Sequence, residues 1–248
     1  MLTGAASDAE RARLEHRLIG IADVTEEFSA GRFADLARGE IDSLLGEGRR
    51  PIVVGGTGLY MRAALSEMEL HPPVRVEIRD EVEREIAERG PQALHSELDP
   101  ELAEGVHPND RKRIARLTEL ERAGFHPPPT GVGDLWTARL RHPAVLVGLI
   151  IDRDELERRI DARVDEMVAA GAPDEARRAE AAGASRTVRA AIGFEELLED
   201  DVEAMKRDQR AYARRQLTWM RKMDGLRVID RTGLSDEDVA QEIVAALD

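Results

Sequence analysis

The sequence contains no cysteine, which excludes disulfide bonds and metal sites built on thiolates. Aromatic residues make up 3% of its 248 residues, which favours a helical interior of leucine, alanine and valine over a β-sandwich. No apolar run approaches the roughly 18 residues that cross a bilayer, and the first residues lack the layout of a signal peptide. We therefore expect a soluble cytoplasmic protein with no membrane partner.

Lysine is scarce: only Lys112, Lys206 and Lys222 occur among the 36 basic residues. This tilt towards arginine, with much alanine, is typical of a GC-rich genome, so an isolated arginine indicates little. The net charge of −14 argues against nucleic acid as a partner, because phosphate binding depends on Lys and Arg. That charge is an average, however, and binding requires only that positive charge gathers on one face.

Apolar periodicity predicts the elements of the first half. Residues 32–46 have helical spacing, and the β-branched run 51–54 predicts a strand buried in a parallel sheet. Helices are predicted within 75–124, with breaks at Gly90-Pro91, Asp99-Pro100 and His107-Pro108. Residues 125–143 are rich in proline and glycine and predict a loop.

The second half predicts a buried strand at 144–152 and a helix after it. Asp152 is the expected N-cap of that helix, with Glu155 as its capping-box partner and Gly171 at its end. A long helix over 200–223, the short strand LRVID and a last helix from Ser235 follow. Strands that alternate with helices predict an α/β core at 1–70 and 144–248, interrupted by a helical insertion at 71–143.

The long helix carries a concentration of positive charge. Seven basic residues stand against one acid, Asp208; they are Lys206, Arg207, Arg210, Arg214, Arg215, Arg221 and Lys222. A helical wheel places Gln209, Tyr212 and Gln216 on the inward, mostly apolar face, opposite Arg207, Arg210, Arg214 and Arg221. Since a buried amide needs partners, we expect a polar group against that face. The alternative is a solvated face paired with neighbouring acids.

A second basic cluster opens the helix that follows His107-Pro108. It consists of Arg111, Lys112, Arg113 and Arg116. Basic residues in a first turn oppose the helix dipole, so an anionic ligand would explain them. Pairing with the nearby Glu119 and Glu121 explains them equally well, and both readings stay open.

Four motifs occur in an order that resembles one family. They are VVGGTGLYMRAAL (53–65), HPNDRKRIARLTEL (107–120), RAAIGFEELL (189–198) and AYARRQLTW (211–219). Together they resemble the bacterial tRNA dimethylallyltransferases. The resemblance implies a P-loop-NTPase-like α/β fold with a helical insertion, of a nucleotide-binding (ATP-binding) type.

The resemblance also implies a reaction. The family transfers a dimethylallyl group from dimethylallyl diphosphate to N6 of the adenosine 3′ of the tRNA anticodon, and Mg²⁺ helps the diphosphate to leave. The implied partners are the tRNA anticodon stem-loop and the allyl diphosphate, and we expect a monomer. The helical block at 71–143 favours tRNA over a free nucleotide, the acceptor of cytokinin-type prenyltransferases.

Residue roles follow from the matching motifs. Thr57 matches the threonine that hydrogen-bonds the oxygen between the allyl group and the diphosphate. The implied catalytic residues are Thr57, Arg163 and Arg210, and the implied diphosphate ligands are Gly55, Gly56, Gly58 and Arg215. The implied tRNA contacts are Arg111, Lys112, Arg113, Arg116, Gly193, Arg214 and Gln216. No residue is assigned to the metal.

The family's phosphate loop, G-x-x-x-x-G-K-[ST], does not occur in this sequence, because no lysine follows a glycine. The family's catalytic aspartate is missing as well, and Ala190 stands where relatives often carry glutamine or arginine. We expect that Met1 is an internal or miscalled start, with roughly 40 residues of the family pattern preceding it. The 248 residues alone should then show little or no transferase activity.

Two further readings stay open beside the enzyme: a non-catalytic tRNA-binding remnant, and a helical interaction module with accidental likeness. The central prediction is spatial. The turn at Thr57 and the arginine-bearing helix should wall a single tunnel in which the allyl diphosphate meets an extruded adenine.

Overall fold

The computed structural model describes residues 6–68, 70–71, 73–125 and 139–247. The chain divides into two compact units: unit 1 is Met1–Leu65 with Leu140–Asp248, and unit 2 is Ser66–Arg139. The sequence predicted an α/β core at 1–70 and 144–248 and a helical insertion at 71–143, each with a function of its own. That division stays a prediction. The loop predicted at 125–143 lies mostly outside the described residues.

The elements of the described ranges, in chain order, are α1 (Asp8–Arg13), α2 (Ala30–Gly46), α3 (Gly58–Leu65), α4 (Val76–Arg89), α5 (Pro91–Glu97), α6 (Pro100–Ala103), α7 (Arg111–Arg122), β1 (Leu146–Ile150), α8 (Arg153–Ala169), α9 (Ala172–Ala181), α10 (Arg186–Arg189), α11 (Phe194–Leu198), α12 (Val202–Met220), β2 (Leu226–Asp230) and α13 (Asp236–Ala245). The α/β class is confirmed, and the predicted long helices have close to the predicted bounds. Among these elements no helix is long and apolar enough to span a bilayer.

The sheet of unit 1 pairs β1 with β2 in parallel, from Leu146 opposite Leu226 to Ile150 opposite Asp230. Helices α8 to α12 lie between the two strands in the chain, as a parallel connection requires. A Cβ on Gly148 of β1 would lie 2.4 Å from Cε of Met220, the last residue of α12. The carboxyl end of α12 therefore packs directly on the sheet.

The strand predicted at 51–54 is wrong. These residues form no strand, and the side chains of Ile52 and Val54 are 81% and 87% exposed. β-branched residues favour an extended backbone, but a strand also needs a hydrogen-bonded neighbour. In the part of the chain that the structure describes, β1 and β2 pair only with each other. For the same reason Leu149, in the confirmed strand β1, is not buried as predicted.

The start of α8 follows the prediction in part. The Asp152 carboxylate accepts hydrogen bonds from the N–H groups of Asp154 and Glu155, so its role as N-cap is confirmed. The capping box is wrong, because the Asp152 N–H donates to Thr232 Oγ1 at 2.8 Å. The Glu155 carboxylate pairs with Arg159 instead.

Each unit has a core of its own. In unit 1, side chains of α8, α9, α11 and α12 form one cluster that includes Val164, Phe194, Leu197 and Met205. In unit 2, α4, α5 and α7 close around Val82, Leu94 and Ile114, each at most 1% exposed. The breaks predicted for unit 2 are confirmed, since Pro91 and Pro100 each begin a helix and Asp110 caps α7.

Candidate functional site

A glycine-rich turn in unit 1 leads into α3. The Thr57 carbonyl accepts the first helical hydrogen bond, from the Met61 N–H at 3.0 Å, which makes Thr57 the N-cap residue. Gly55, Gly56 and Thr57 are exposed. The turn therefore presents its backbone and the threonine hydroxyl to solvent at the positive end of a helix dipole, where anions bind.

Helix α12 contacts this turn through two hydrogen bonds. The Thr57 Oγ1 lies 2.7 Å from the hydroxyl oxygen of Tyr212, and Gln216 Nε2 donates to the Gly56 carbonyl at 3.0 Å. Tyr212 and Gln216 are four residues apart and so lie on one face of the helix. The polar group that the sequence predicted against this face is the turn itself. The prediction of a buried amide is wrong, because the Gln216 side chain is only half-buried.

The glycines of the turn make room for α12. None of Gly55, Gly56 and Gly58 has a positive φ, so backbone conformation does not require glycine there. A Cβ on Gly56 would lie 2.0 Å from Gln216 Nε2, and one on Gly58 would lie 2.0 Å from Cε3 of the Trp219 ring. A real Cβ never approaches that closely. The absence of side chains on the turn is what lets the helix reach it.

A hollow of about 190 Å³ opens beside the turn, on the side of α2 and α3. It is lined by Phe33, Val53, Val54, Gly55, Gly56, Thr57, Tyr60 and Met61. The rings of Phe33 and Tyr60 meet with centroids 5.2 Å apart, and burial raises the pKa of the Tyr60 hydroxyl. The turn therefore has an apolar side and, towards α12, a polar one.

Positive charge is distributed unevenly along α12. In its first half Lys206 pairs with Asp165 at 2.7 Å, Arg210 pairs with Asp161, and Arg207 lies 3.9 Å from Asp201. In its second half Arg214 and Arg215 have no acidic partner among the described residues, and neither has Arg221, which directly follows the helix. The Arg215 guanidinium lies 5.6 Å from the centroid of the Tyr212 ring. The uncompensated charge is thus in the half of the helix that meets the turn.

One further cation lies in the last turn of α3. Arg62 of α3 is 4% exposed, and burial lowers the pKa of its guanidinium while Asp224 opposes that shift. Even so, a guanidinium keeps its proton at neutral pH. Arg62 therefore adds fixed positive charge to the helix whose N-terminus forms the turn.

The structure brings together only some of the predicted site residues of unit 1. The turn residues Gly56, Thr57 and Gly58 contact α12, whereas Gly55 lies against Met61 of α3. Arg215 is adjacent through the ring of Tyr212. The predicted arginine-lined wall is wrong in its orientation: the face that meets the turn carries Tyr212 and Gln216. Arg210, predicted as catalytic, pairs with Asp161 of α8, and its catalytic role stays a prediction.

Two other predicted residues lie in different surroundings. Arg163 is exposed on α8. Asp161 and Asp165 form the face of α8 that pairs with α12, and Arg163, two positions from each, does not lie on that face. Gly193 begins α11 with φ +96°, and a Cβ there would lie 2.7 Å from Cε of the buried Met205. Packing alone explains this glycine, and its predicted tRNA contact stays a prediction.

The basic cluster of unit 2 is largely neutralised by acids. Arg111 pairs with Glu83 at 2.7 Å, Arg113 lies 3.9 Å from Asp110, and Arg116 pairs with Glu119 at 3.0 Å. Lys112 is exposed. The ion pair of Arg116 with Glu119 agrees with the second interpretation of this cluster, in which nearby acids pair with the basic residues. Pairing with Glu121 was wrong, because that carboxylate accepts the Asp99 N–H.

Tyr212 and Trp219 are the contact residues for which the sequence suggested no role. Tyr212 was placed on the correct face of the long helix but was given no partner. Trp219 lies three residues after Gln216, which puts it on the same face. The usable signal was the spacing 212, 216 and 219 in AYARRQLTW, read against the three glycines of the turn.

These elements define an α/β protein with a glycine-rich turn at a helix N-terminus, a local structure that commonly binds anions. The family model of IPP transferases matches residues 1–223, and the chain belongs to that family.

Individual relatives cover nearly all of the chain. A tRNA dimethylallyltransferase of Acetivibrio thermocellus is 33% identical over 97% of this chain and 82% of its own length. One from Streptomyces griseus is 39% identical over 86% of this chain and 72% of its own length.

Solved structures agree. The crystal structure of a tRNA isopentenylpyrophosphate transferase from Bacillus halodurans has a TM-score of 0.67 at 34% identity, covering 98% of this chain and 80% of that one. A eukaryotic dimethylallyltransferase acting on tRNA has a TM-score of 0.77 at 26% identity, covering 98% of this chain and 67% of its own. The predicted resemblance and fold class are confirmed.

Proposed function

We propose that this chain transfers a dimethylallyl group from dimethylallyl diphosphate to N6 of the adenosine 3′ of a tRNA anticodon. Membership of the IPP transferase family supports this proposal, as do relatives named tRNA dimethylallyltransferase. The observation that carries it is the contact of the Thr57 turn with α12, which places an anion-binding helix terminus beside unpaired arginines.

The turn would hold the departing diphosphate. Backbone N–H groups at the start of α3 and the Thr57 hydroxyl are donors, and Arg215 and Arg62 add positive charge. Such groups act where charge develops, on the oxygen that leaves. The glycines Gly55, Gly56 and Gly58 keep the turn free of side chains that would block this approach.

The reaction breaks the bond between the allylic carbon and the bridging oxygen, whose electron pair stays with the diphosphate. A bond forms between that carbon and N6 of adenine, and the displaced N6 proton ends on the diphosphate. Gln216 has one N–H and its carbonyl oxygen left after it binds Gly56, a donor and an acceptor that match the edge of adenine. We assign it to the extruded base.

The tRNA backbone would be held by the cations that acids do not neutralise. In unit 1 these include Arg214 of α12 and Arg221, which directly follows it. In unit 2 Lys112 is exposed beside the paired Arg111, Arg113 and Arg116. Phosphates would have to displace Glu83, Asp110 or Glu119 before those three arginines could bind RNA. We also propose that the protein is a cytoplasmic monomer.

We identify no binding site for Mg²⁺ in the described ranges. They contain no group of three His, Cys, Asp or Glu residues that could hold a metal ion. We propose that any Mg²⁺ arrives bound to the phosphates of the donor, since this ion is commonly held by substrate phosphates and few protein ligands. None of the residue roles above depends on it.

A second candidate function is tRNA binding without catalysis. The observation that favours it is the basic half of α12, where Arg214 and Arg215 have no acidic partner among the described residues. In that case the basic half of α12 would still bind the anticodon stem-loop. Affinity would fall with salt and would be indifferent to allyl diphosphate.

One experiment separates the two functions. The chain is incubated in excess over an unmodified tRNA transcript and dimethylallyl diphosphate, and nucleosides are analysed by mass spectrometry. The enzyme yields prenylated adenosine at one position, none with a guanosine there, and far less with Thr57→Val. Salt-dependent binding of the transcript with no product supports the second candidate, and neither product nor binding would reject both.

A further inference from the structure

We infer that Tyr212 is a positioning residue, which turns the Thr57 hydroxyl proton towards the departing diphosphate oxygen. The inference rests on the proposed function and adds to it a residue with no assigned role. It starts from the distance of 2.7 Å between the two hydroxyl oxygens.

A hydrogen bond between two hydroxyls has one donor and one acceptor. If Thr57 donated to Tyr212, only lone pairs would face the site, and these would repel an anion. If Tyr212 donates, the Thr57 proton is left free to point at a substrate oxygen. Phenols are stronger donors than aliphatic alcohols, because the ring spreads the charge of the conjugate base. Tyr212 therefore donates and Thr57 accepts.

The Tyr212 hydroxyl is held in place from several sides. Arg215 lies over its ring, and Gln216, one turn on, bonds the Gly56 carbonyl next to Thr57. The ion pairs of Lys206 with Asp165 and of Arg210 with Asp161 fix α12 against α8. A group held this way donates in one direction and needs no reorganisation when negative charge develops on the leaving oxygen.

The test is a double-mutant cycle. Tyr212→Phe keeps the ring and its contact with Arg215 but removes the donor, and Thr57→Val keeps the shape of Thr57 without its hydroxyl. We expect Tyr212→Phe to lower kcat about 10-fold, with KM for dimethylallyl diphosphate nearly unchanged. The double variant should be no slower than Thr57→Val alone, because Tyr212 acts only through Thr57. Thr218→Val, which removes an exposed hydroxyl elsewhere on α12, is the matched control and should leave kcat unchanged.

A second measurement does not depend on turnover. Calorimetric titration with inorganic diphosphate should show Kd raised about 5-fold by Tyr212→Phe and no further by adding it to Thr57→Val. If the wild-type chain transfers no allyl group, the proposed function fails and this titration alone decides the role of Tyr212. Additive effects of the two substitutions, an unchanged Kd in Tyr212→Phe, or no binding of diphosphate by the wild type would each overturn the inference.

Discussion

The residue with the least freedom at the site is Gly58. The Trp219 ring occupies the space that any side chain there would need. A rigid ring on a packed helix cannot move aside as the flexible end of a lysine side chain could. From sequence, the glycines of GGTG indicate a close approach, and that much was predictable. The residue that approaches Gly58 could not be predicted, because Trp219 is 161 positions away in the chain.

We predict that Gly58→Ala destabilises the protein by about 1–3 kcal/mol, the usual cost of overpacking. Gly39→Ala is the control: Gly39 lies inside α2 with no atom near its virtual Cβ, so the added methyl should stabilise by about 0.5–1 kcal/mol. Urea unfolding midpoints measure both. Equal midpoints for the two variants would show that Trp219 does not fill the space at Gly58.

A second prediction at this scale concerns Asp42. Hydrogen bonds from Arg141, at 2.8 Å, and then from His142 lower the pKa of its carboxyl group. A carboxylate with a lowered pKa contributes stability above its unfolded pKa and loses that contribution as pH falls through its folded pKa.

Asp42→Asn should therefore melt below the wild type at pH 7, and the difference in Tm should shrink as pH falls below about 4. Thermal melts between pH 3 and pH 7 test this. A difference in Tm that stays constant across the range would mean that Asp42 acts through packing and not through its charge.

At the scale of elements, the helices were predictable because their signals are local. Ser29, Asp110, Asp152 and Ser235 cap the helices that follow them, and Pro91 begins α5. The run 51–54 was not predictable, because an extended segment becomes a strand only through a neighbour. The facing of α12 was half predictable: the wheel placed Tyr212 and Gln216 on the inward face, but it could not identify the glycine turn as the group that this face contacts.

Arginines without an acidic partner should contribute more to RNA binding than paired ones. Arg214→Gln and Arg221→Gln should each reduce the slope of log K against log salt by about 0.7–0.9, because each removes one uncompensated cation. Arg159→Gln is the control, since that guanidinium is paired with Glu155 at 2.5 Å. Filter binding of an anticodon stem-loop over a salt series gives the slopes. A loss in Arg159→Gln as large as in the other two would refute the distinction between paired and unpaired arginines.

For the molecule as a whole, a net charge of −14 does not show where positive charge is left uncompensated. Acids pair with many of the basic residues, as Glu83 and Glu119 do with residues of α7, and leave other cations of the described ranges unpaired. Composition alone could not locate these cations, since pairing is decided by which helices pack together.

The separate cores make a further prediction. Leu94→Ala in unit 2 and Leu197→Ala in unit 1 both remove fully buried side chains and should each cost about 2–5 kcal/mol. Native-state hydrogen exchange should show lost protection in α4, α5 and α7 for the first, and in α9, α11 and α12 for the second. Protection lost equally throughout the chain by either variant would show a single cooperative unit.

Thr57 and Tyr212 are separated by 155 positions, which has a consequence during synthesis. A ribosome adding about 5–20 residues per second needs roughly 8–30 s to travel from one to the other. During that interval the emerging glycine turn has no opposing helix. The nascent chain therefore cannot form the contact between the turn and α12 until translation has passed Tyr212.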